Sequence, residues 1–415
     1  PAGCGTGGQA LRPGRSGEVT LARATPAEVG LCPQRSQRLL DVMQSEIDRK
    51  RLPGAVVLIA RHGKLALLES LGQQDPALGI PMALDSIFRI YSMTKPIVSV
   101  AVMMLMEQGK LLLSDPVSKY LPEFAAQNVA VQGEPGRIEL RPVSRAATLQ
   151  DLLRHTAGLS YEFLGNAPVQ KQYAGVRIGS RERSNAEFSK ALAALPLMFE
   201  PGSMWEYSRA TDVLGRLVEV VSGQTLGQFL REHILAPLGL HDTAFTVPQA
   251  LHGRIAEPFA HDPDGGVPMR LIDIRREPAL QSGGGGLAST AMDYARFLQF
   301  MLNKGELDGG RLLGPRTVEF MTADHLGPIP INGGAASTLL PPGHGFGLGF
   351  AVRTAAGVAS VPGSVGLYYW GGIAGTTFFV DPAQDMFALM MIQAPNQRDY
   401  FRPLFRTLVY ASLTD

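Results

Sequence analysis

The stretch Ser92-Met93-Thr94-Lys95-Pro96-Ile97-Val98-Ser99-Val100-Ala101-Val102-Met103-Met104-Leu105-Met106-Glu107-Gln108, halted by Gly109, decides how the rest of the chain is read. The spacing predicts a helix over 92–108. Ile97, Val98, Val100, Val102, Met103, Met104, Leu105 and Met106 leave it almost no polar face, and such a helix belongs inside a protein, packed on several sides. Its first turn nevertheless carries Ser92, Thr94 and Lys95. Residues three apart share a helix face, which brings the Ser92 hydroxyl and the Lys95 amine within hydrogen-bonding reach. A serine hydroxyl is a poor nucleophile until a neighbour removes its proton. Lysine can be that neighbour only if its pKa is depressed, and both burial and the positive end of the helix dipole act in that direction. The same helix end offers free backbone N–H groups to a developing oxyanion. A chain this long carries about one or two Ser-x-x-Lys pairs by chance. The weight therefore lies on the setting, because an unpaired lysine in the most apolar helix of the chain would be expensive.

Upstream, Leu39, Leu40, Met43 and Ile47 predict an amphipathic helix over 33–50. Ala55 to Ala60 and Leu65 to Ser70 read as two strands of a hairpin turned at Arg61-His62-Gly63-Lys64. From about Asp115 to Pro268 the pattern is helices and long loops, with helices expected over 148–155, 184–194, 211–222 and 225–234. Strand signals return over 345–352, 375–380 and 386–392, and a terminal helix is expected around 403–413. Strands at both ends with helices between them give an α/β (α+β) fold: an antiparallel sheet made from the N- and C-terminal segments, flanked by helices, with a helical domain inserted. The expected division is a flexible tail over 1–20, a sheet domain over 21–88 and 287–415, and the inserted domain over 89–286, with the active site where the two meet. The four glycines Gly283 to Gly286 mark a crossing between them.

Composition sets the outer bounds. A 45% apolar chain with net charge +1 is neither disordered nor built to neutralise phosphates, and no basic run offers a duplex a surface, so no nucleic-acid partner is expected. Two cysteines, Cys4 and Cys32, are too few for a disulfide framework. Eight histidines include no His-Glu-x-x-His and no pair at ligand spacing, so no metal and no cofactor is expected, and His155 and His344 read as structural. No stretch is long enough to span a bilayer and no leader core is visible. The expectation is a soluble chain, the cytoplasm favoured over the periplasm.

Two further elements join Ser92 and Lys95. Tyr207-Ser208-Arg209 precedes a helix, and Trp370-Gly371-Gly372-Ile373 is read as opening a strand that continues to Val380, the glycines either allowing another group to approach its backbone or marking a bulge or tight corner. Ser-x-x-Lys, Tyr-Ser-x and Trp-Gly-Gly, in that order, resemble the family VIII carboxylesterases, relatives of class C β-lactamases and D-alanyl-D-alanine peptidases. Leu153 to Leu159, Pro201-Gly202, Gly284 to Thr290 and Phe379 to Pro382 resemble the family as well. The resemblance implies the β-lactamase/transpeptidase-like fold, with Ser92 as nucleophile and Lys95 as its base or the group that keeps the base deprotonated. Tyr207 would carry a proton to the leaving alcohol, and the backbone N–H groups of Ser92 and Ile373 would form the oxyanion hole. Trp370, Gly371, Gly372 and Arg209 would contact substrate.

The chain departs from a class C β-lactamase at two of these places. Arg209 stands where those enzymes carry an asparagine, and Trp370 where they carry a carboxylate-binding lysine. Losing a charge-assisted contact weakens an anionic ligand by about 1.5–3 kcal/mol, whereas an indole at the cleft rim suits a neutral ester. The expected activity is hydrolysis of short-chain acyl esters through an acyl-enzyme on Ser92. The shared machinery leaves weak cephalosporin hydrolysis open, with Arg209 partly replacing the lost charge. A class C-like β-lactamase or D-amino-acid peptidase is the alternative, and a non-catalytic scaffold of the same fold ranks below both. An α/β-hydrolase is excluded because no Gly-x-Ser-x-Gly elbow occurs.

Overall fold

The computed structural model describes residues 21–132, 138–266 and 268–414. The expected tail over 1–20, with Cys4, lies outside the described residues, and Cys32 is a free thiol. Eight strands build the main sheet: β1 (Gly54–Arg61), β2 (Lys64–Asp75), β3 (Ile80–Pro81), β4 (His344–Phe346), β5 (Ala351–Arg353), β6 (Tyr368–Gly371), β7 (Thr377–Asp381) and β8 (Met386–Met391). They lie in the order β4-β5-β6-β7-β8-β1-β2-β3, antiparallel throughout. The seam between the two ends of the sequence is β1 against β8, running from Val56 opposite Met391 to Arg61 opposite Met386.

Five helices matter for the site: α1 (Pro33–Asp48), α2 (Thr94–Glu107), α3 (Ala210–Ser222), α4 (Ala291–Leu302) and α5 (Arg398–Ala411). Every residue of β1 is buried. Side chains alternate across a strand, and here both faces are covered. Val56, Leu58 and Ala60 enter a core shared with Ile97 and Val98 of α2 and Phe297 of α4, whereas Val57 and Ile59 join Leu39 and Met43 of α1 with Phe401 and Phe405 of α5. This double cover explains an uninterrupted apolar strand in an antiparallel sheet. All residues from Thr94 to Leu105 are buried, as a helix with no polar face requires.

The segment between the two halves of the sheet leaves and returns at one place, where Phe88 pairs with Ser289 and Arg89 with Ala288. Four readings of local structure need correction. The 92–108 helix begins as a 3-10 turn over Tyr91–Met93 and becomes α-helical at Thr94. The strand expected over 345–352 is a hairpin, β4 and β5, because Gly347 and Gly349 (φ 103) let the chain reverse and the Gly347 N–H reach the Phe350 carbonyl at 2.7 Å. Trp370-Gly371 closes β6 instead of opening a strand. The chain then turns through Gly372–Thr376, with Gly375 at φ 110, before β7. The terminal helix starts at Arg398 and carries Pro403 inside it. A hairpin of Asn128–Gln132 with Ile138–Pro142 was not read from the sequence, although Ile138-Glu139-Leu140-Arg141 alternates apolar and polar residues. Among the described residues, no helix is long and apolar enough to cross a membrane.

Candidate active site

The chain enters the site through Tyr91, whose φ of 42 is in the left-handed region that non-glycine residues rarely occupy. The strain is held in place on both sides: the Met93 N–H reaches the Ile90 carbonyl at 3.0 Å, and the Tyr91 hydroxyl accepts the Ile272 N–H at 2.9 Å. The turn delivers Ser92, half-buried, at the head of α2, where first-turn N–H groups have no partner within the helix.

Lys95 is fully buried, and its Nζ lies 3.2 Å from Ser92 Oγ, 2.9 Å from the Tyr161 hydroxyl and 2.6 Å from the Gly284 carbonyl oxygen. A carbonyl only accepts and a phenol oxygen can accept, so a neutral amine spends its two N–H bonds on these two groups and turns its lone pair to Ser92. Burial pushes the ammonium down to about 7; Asp212 pulls it back up and Arg209 pushes it further down. Holding a lysine this way costs the fold on the order of 5 kcal/mol at neutral pH. Ile97, Val98, Val100, Val102, Met103 and Leu105, all fully buried on the same helix, contribute about 1.5–3 kcal/mol each and offset it.

Tyr207 meets this pair from the loop before α3. Its hydroxyl hydrogen-bonds Ser92 and accepts the Trp370 indole N–H at 3.0 Å, and its ring centre is 4.4 Å from Lys95 Nζ. Burial raises its phenol well above the ordinary value, with the Ser92 and Trp370 hydrogen bonds opposing. Tyr207 is therefore a protonated phenol at neutral pH. The Trp370 indole is not at the cleft rim as the sequence reading had it: it is 5% exposed and committed to Tyr207. The sheet explains this, because Trp370 points inward from β6, to the face that carries Phe346 and Phe378. His155 is buried beneath, its Nδ1 3.0 Å from Ser208 Oγ and its ring 4.9 Å from that of Tyr207.

Arg209 lines the cavity, but its guanidinium is occupied. Nη2 is 2.5 Å from Glu162 and Nη1 is 3.5 Å from Asp212, and the group lies over the Tyr161 ring. Asp212 in turn accepts from Ser282 Oγ at 2.5 Å and from the Gly284 N–H at 3.0 Å. That places the Gly284 carbonyl under Lys95. A Cβ at Gly284 would come 2.7 Å from Asp212 Oδ2, and one at Gly283 would come 2.5 Å from the Thr211 carbonyl, so the glycine run lets the loop press against α3. Tyr161 and Asp212 were missed in the sequence, and Gly284 was picked out only as part of the glycine run and the Gly284 to Thr290 segment, with no role at Lys95. Tyr161 follows the Leu153 to Leu159 segment by two residues, and only that adjacency points to it.

On the far side, Ile373 occupies the β6–β7 turn and is 39% exposed. Ser92, Tyr207, Trp370 and Ile373 open into one cavity of about 1050 Å³. That is at the upper end of small-molecule pockets. His344 lines the same cavity, with Nδ1 3.2 Å from the Pro341 carbonyl. Among the described residues no group of His, Cys, Asp and Glu is placed to hold a metal ion.

Residues 39–411 match the family model described as Beta-lactamase. The chain is 34% identical over 376 residues to Esterase EstB of Burkholderia gladioli, covering 85% of this chain and 89% of EstB. It is 31% identical over 373 residues to Lovastatin esterase of Penicillium rubens, with 85% and 91% covered. Among solved structures, EstCE1, described as a hydrolase with promiscuous acyltransferase activity, superposes with a TM-score of 0.74 at 29% identity, over 92% of this chain and 98% of that one. Simvastatin synthase LovD from Aspergillus terreus does so with a TM-score of 0.75 at 26% identity, over 91% and 98%. With the family matched over nearly its whole described length, this chain belongs to the β-lactamase family and is a serine hydrolase of the β-lactamase-like superfamily.

Proposed function

We propose that the chain is a carboxylesterase that takes short acyl groups onto Ser92. The observation that carries this is the buried Lys95 amine, 3.2 Å from Ser92 Oγ, with its N–H bonds anchored on Tyr161 and Gly284. The neutral amine accepts the Ser92 proton as Oγ adds to the ester carbonyl. The Ser92 and Ile373 N–H groups take the oxyanion. Tyr207, a phenol, gives its proton to the departing alkoxide and is reprotonated by Lys95, which leaves the acyl-enzyme and neutral lysine. Water then repeats the sequence in reverse and releases the acid. Names among the relatives, two esterases and a hydrolase with acyltransferase activity, support this reading. The acyltransferase activity named for EstCE1 favours a second outcome, in which an alcohol replaces water as acyl acceptor.

Cephalosporin hydrolysis ranks lower. Trp370 offers no charge, and Arg209 is neutralised by Glu162 and Asp212. Rates on p-nitrophenyl esters from acetyl to palmitoyl, measured beside nitrocefin on one preparation, test both statements. The maximum is expected between C2 and C6, with a gradual decline because each methylene is worth only about 0.8 kcal/mol. A maximum at C12 or beyond, or nitrocefin turnover rivalling the esters, overturns the assignment.

The pH dependence follows from Lys95. Its amine must be neutral to accept the proton, so kcat/KM should rise with pH through about 7 and then level off. Arg209→Met removes a cation that depresses Lys95 and leaves Asp212 unopposed, which should move the rise to higher pH. A profile flat from pH 5 to 9 would exclude Lys95 as the base.

A further inference from the structure

The peptide joining Gly372 to Ile373 has two ends with different fates. In a trans peptide the carbonyl and the N–H point in opposite directions. If the Ile373 N–H faces the oxyanion, the Gly372 oxygen faces away from it. That oxygen is bound by Arg402 Nη2, which also reaches the Thr376 carbonyl at 3.4 Å, so the guanidinium grips the start and the end of the β6–β7 turn. The Trp-Gly-Gly glycines make room for this grip. A Cβ at Gly371 would come 2.7 Å from Arg402 Nη2 and 2.8 Å from its Cζ. A Cβ at Gly372 would strike the carbonyl of Ile90, two residues before Ser92, and come 2.5 Å from Thr376 Oγ1. The turn is thus clamped between the head of the nucleophile's helix on one side and a cation from α5 on the other.

We propose that Arg402 is a positioning residue for the oxyanion hole, fixing the direction of the Ile373 N–H and polarising it through the shared peptide. This rests on the reading of Ile373 as an oxyanion donor. A hydrogen bond accepted at an amide carbonyl strengthens the donor at the same amide, by about 10–30% per bond, and a charged donor does so more. Among the described residues no carboxylate forms an ion pair with Arg402, and Asp399, on the same helix, favours its charge without pairing with it. Arg402 also lines the cavity with Ser92 and Ile373. Burial, helped by Arg398, pushes it down only to about 10, and it stays cationic at neutral pH.

The test compares Arg402→Met, which keeps the stem and loses charge and donors, with Arg402→Lys, which keeps the charge and one donor group. On p-nitrophenyl butyrate, Arg402→Met should lower kcat by about ten- to a hundredfold with KM unchanged, less than the roughly 10²–10³ for outright loss of a donor. Arg402→Lys should recover part of the loss. The direct readout is the isotope-edited infrared carbonyl stretch of the pivaloyl-enzyme formed from ¹³C-carbonyl p-nitrophenyl pivalate. It should move to higher frequency in Arg402→Met, as the hydrogen bonds to the carbonyl weaken, and part of the way in Arg402→Lys. A fall in kcat with a matching rise in KM and an unmoved stretch would mean that Arg402 only staples α5 to the sheet, and the proposal fails. Ile373→Pro, which removes the N–H, separates the two levels. A stretch that moves in Ile373→Pro but not in Arg402→Met defeats the Arg402 inference alone, whereas one that moves in neither defeats the placing of the oxyanion hole. If Ile373→Pro does not fold, as circular dichroism would show, the Arg402→Met spectrum decides by itself.

Discussion

Ser92→Ala is expected to lower ester hydrolysis by about 10⁴–10⁶-fold, the range for a nucleophile lost from a working catalytic unit. The fold should survive it. Ser92 is half-buried, outside the packed stretch from Thr94 to Leu105, and its side-chain partners are the site's own Lys95 and Tyr207. Three measurements check this together: steady-state rates on p-nitrophenyl butyrate, the melting temperature, and intact-mass analysis after a fluorophosphonate. Wild-type protein should gain one adduct and the variant none. A variant keeping more than about one per cent of the rate counts against Ser92, because a lost nucleophile normally costs far more. A variant that still labels would move the nucleophile to another serine of the cavity, such as Ser282.

Lys95→Met should cost about 10²–10⁴ in kcat, as should Tyr207→Phe, the usual range for positioned proton transfer. The two act on one proton path, so the double variant should fall little below the worse single. Multiplicative losses would show two independent roles and sink the shared mechanism. Lys95→Met also carries a signature that a merely damaged site lacks. Unfolded, the lysine keeps its proton to about 10.5; folded, it keeps it only to about 7. Between these values the unfolded chain binds more protons, so wild-type stability gains from rising pH across that window, and the full burial cost is felt below it. The methionine pays none of that cost but leaves the Gly284 carbonyl and the Tyr161 hydroxyl without their donor, about 1–3 kcal/mol for each buried group. The melting temperature of Lys95→Met relative to wild type should therefore fall steadily from pH 7 to pH 10. A difference independent of pH would mean Lys95 is not depressed.

What the sequence reveals here depends on how far apart the interacting parts lie. Ser92 and Lys95 share one helical turn, and a turn is a local rule, so their proximity could be read directly. The wholly apolar α2 and the strands at both ends likewise report burial residue by residue, and the sheet follows from them. Hydrogen-bond partners arriving from elsewhere leave no such trace. Tyr161, Asp212 and Arg402 are a tyrosine, an aspartate and an arginine among many, and only the folded chain brings them to Lys95 or to the Gly372 carbonyl. Trp370 shows the opposite failure. Its exposure was inferred from what it replaces, but strand alternation put the indole inside. Glycine misled in the same way: in Gly347 to Gly349 and Gly371 to Gly375 it signalled reversal of the chain, while the apolar neighbours read as continuous strand.

The seam between β1 and β8 also governs how the protein is made. The strand Gly54–Arg61 is synthesised long before the partner that covers one of its edges, Met386–Met391. Until then only β2 is available to pair with it, and a hydrophobic strand edge waits open, the kind of surface that invites association between nascent chains. Closing so long a loop must precede any reward from the seam, which makes folding slow for reasons of topology rather than stability. The β6–β7 turn and Arg402 lie in the same late-arriving part of the chain. A ribosome-bound fragment ending before them can hold Ser92 and Lys95 and still lack this turn, so the cavity is completed only once they emerge, together with the sheet.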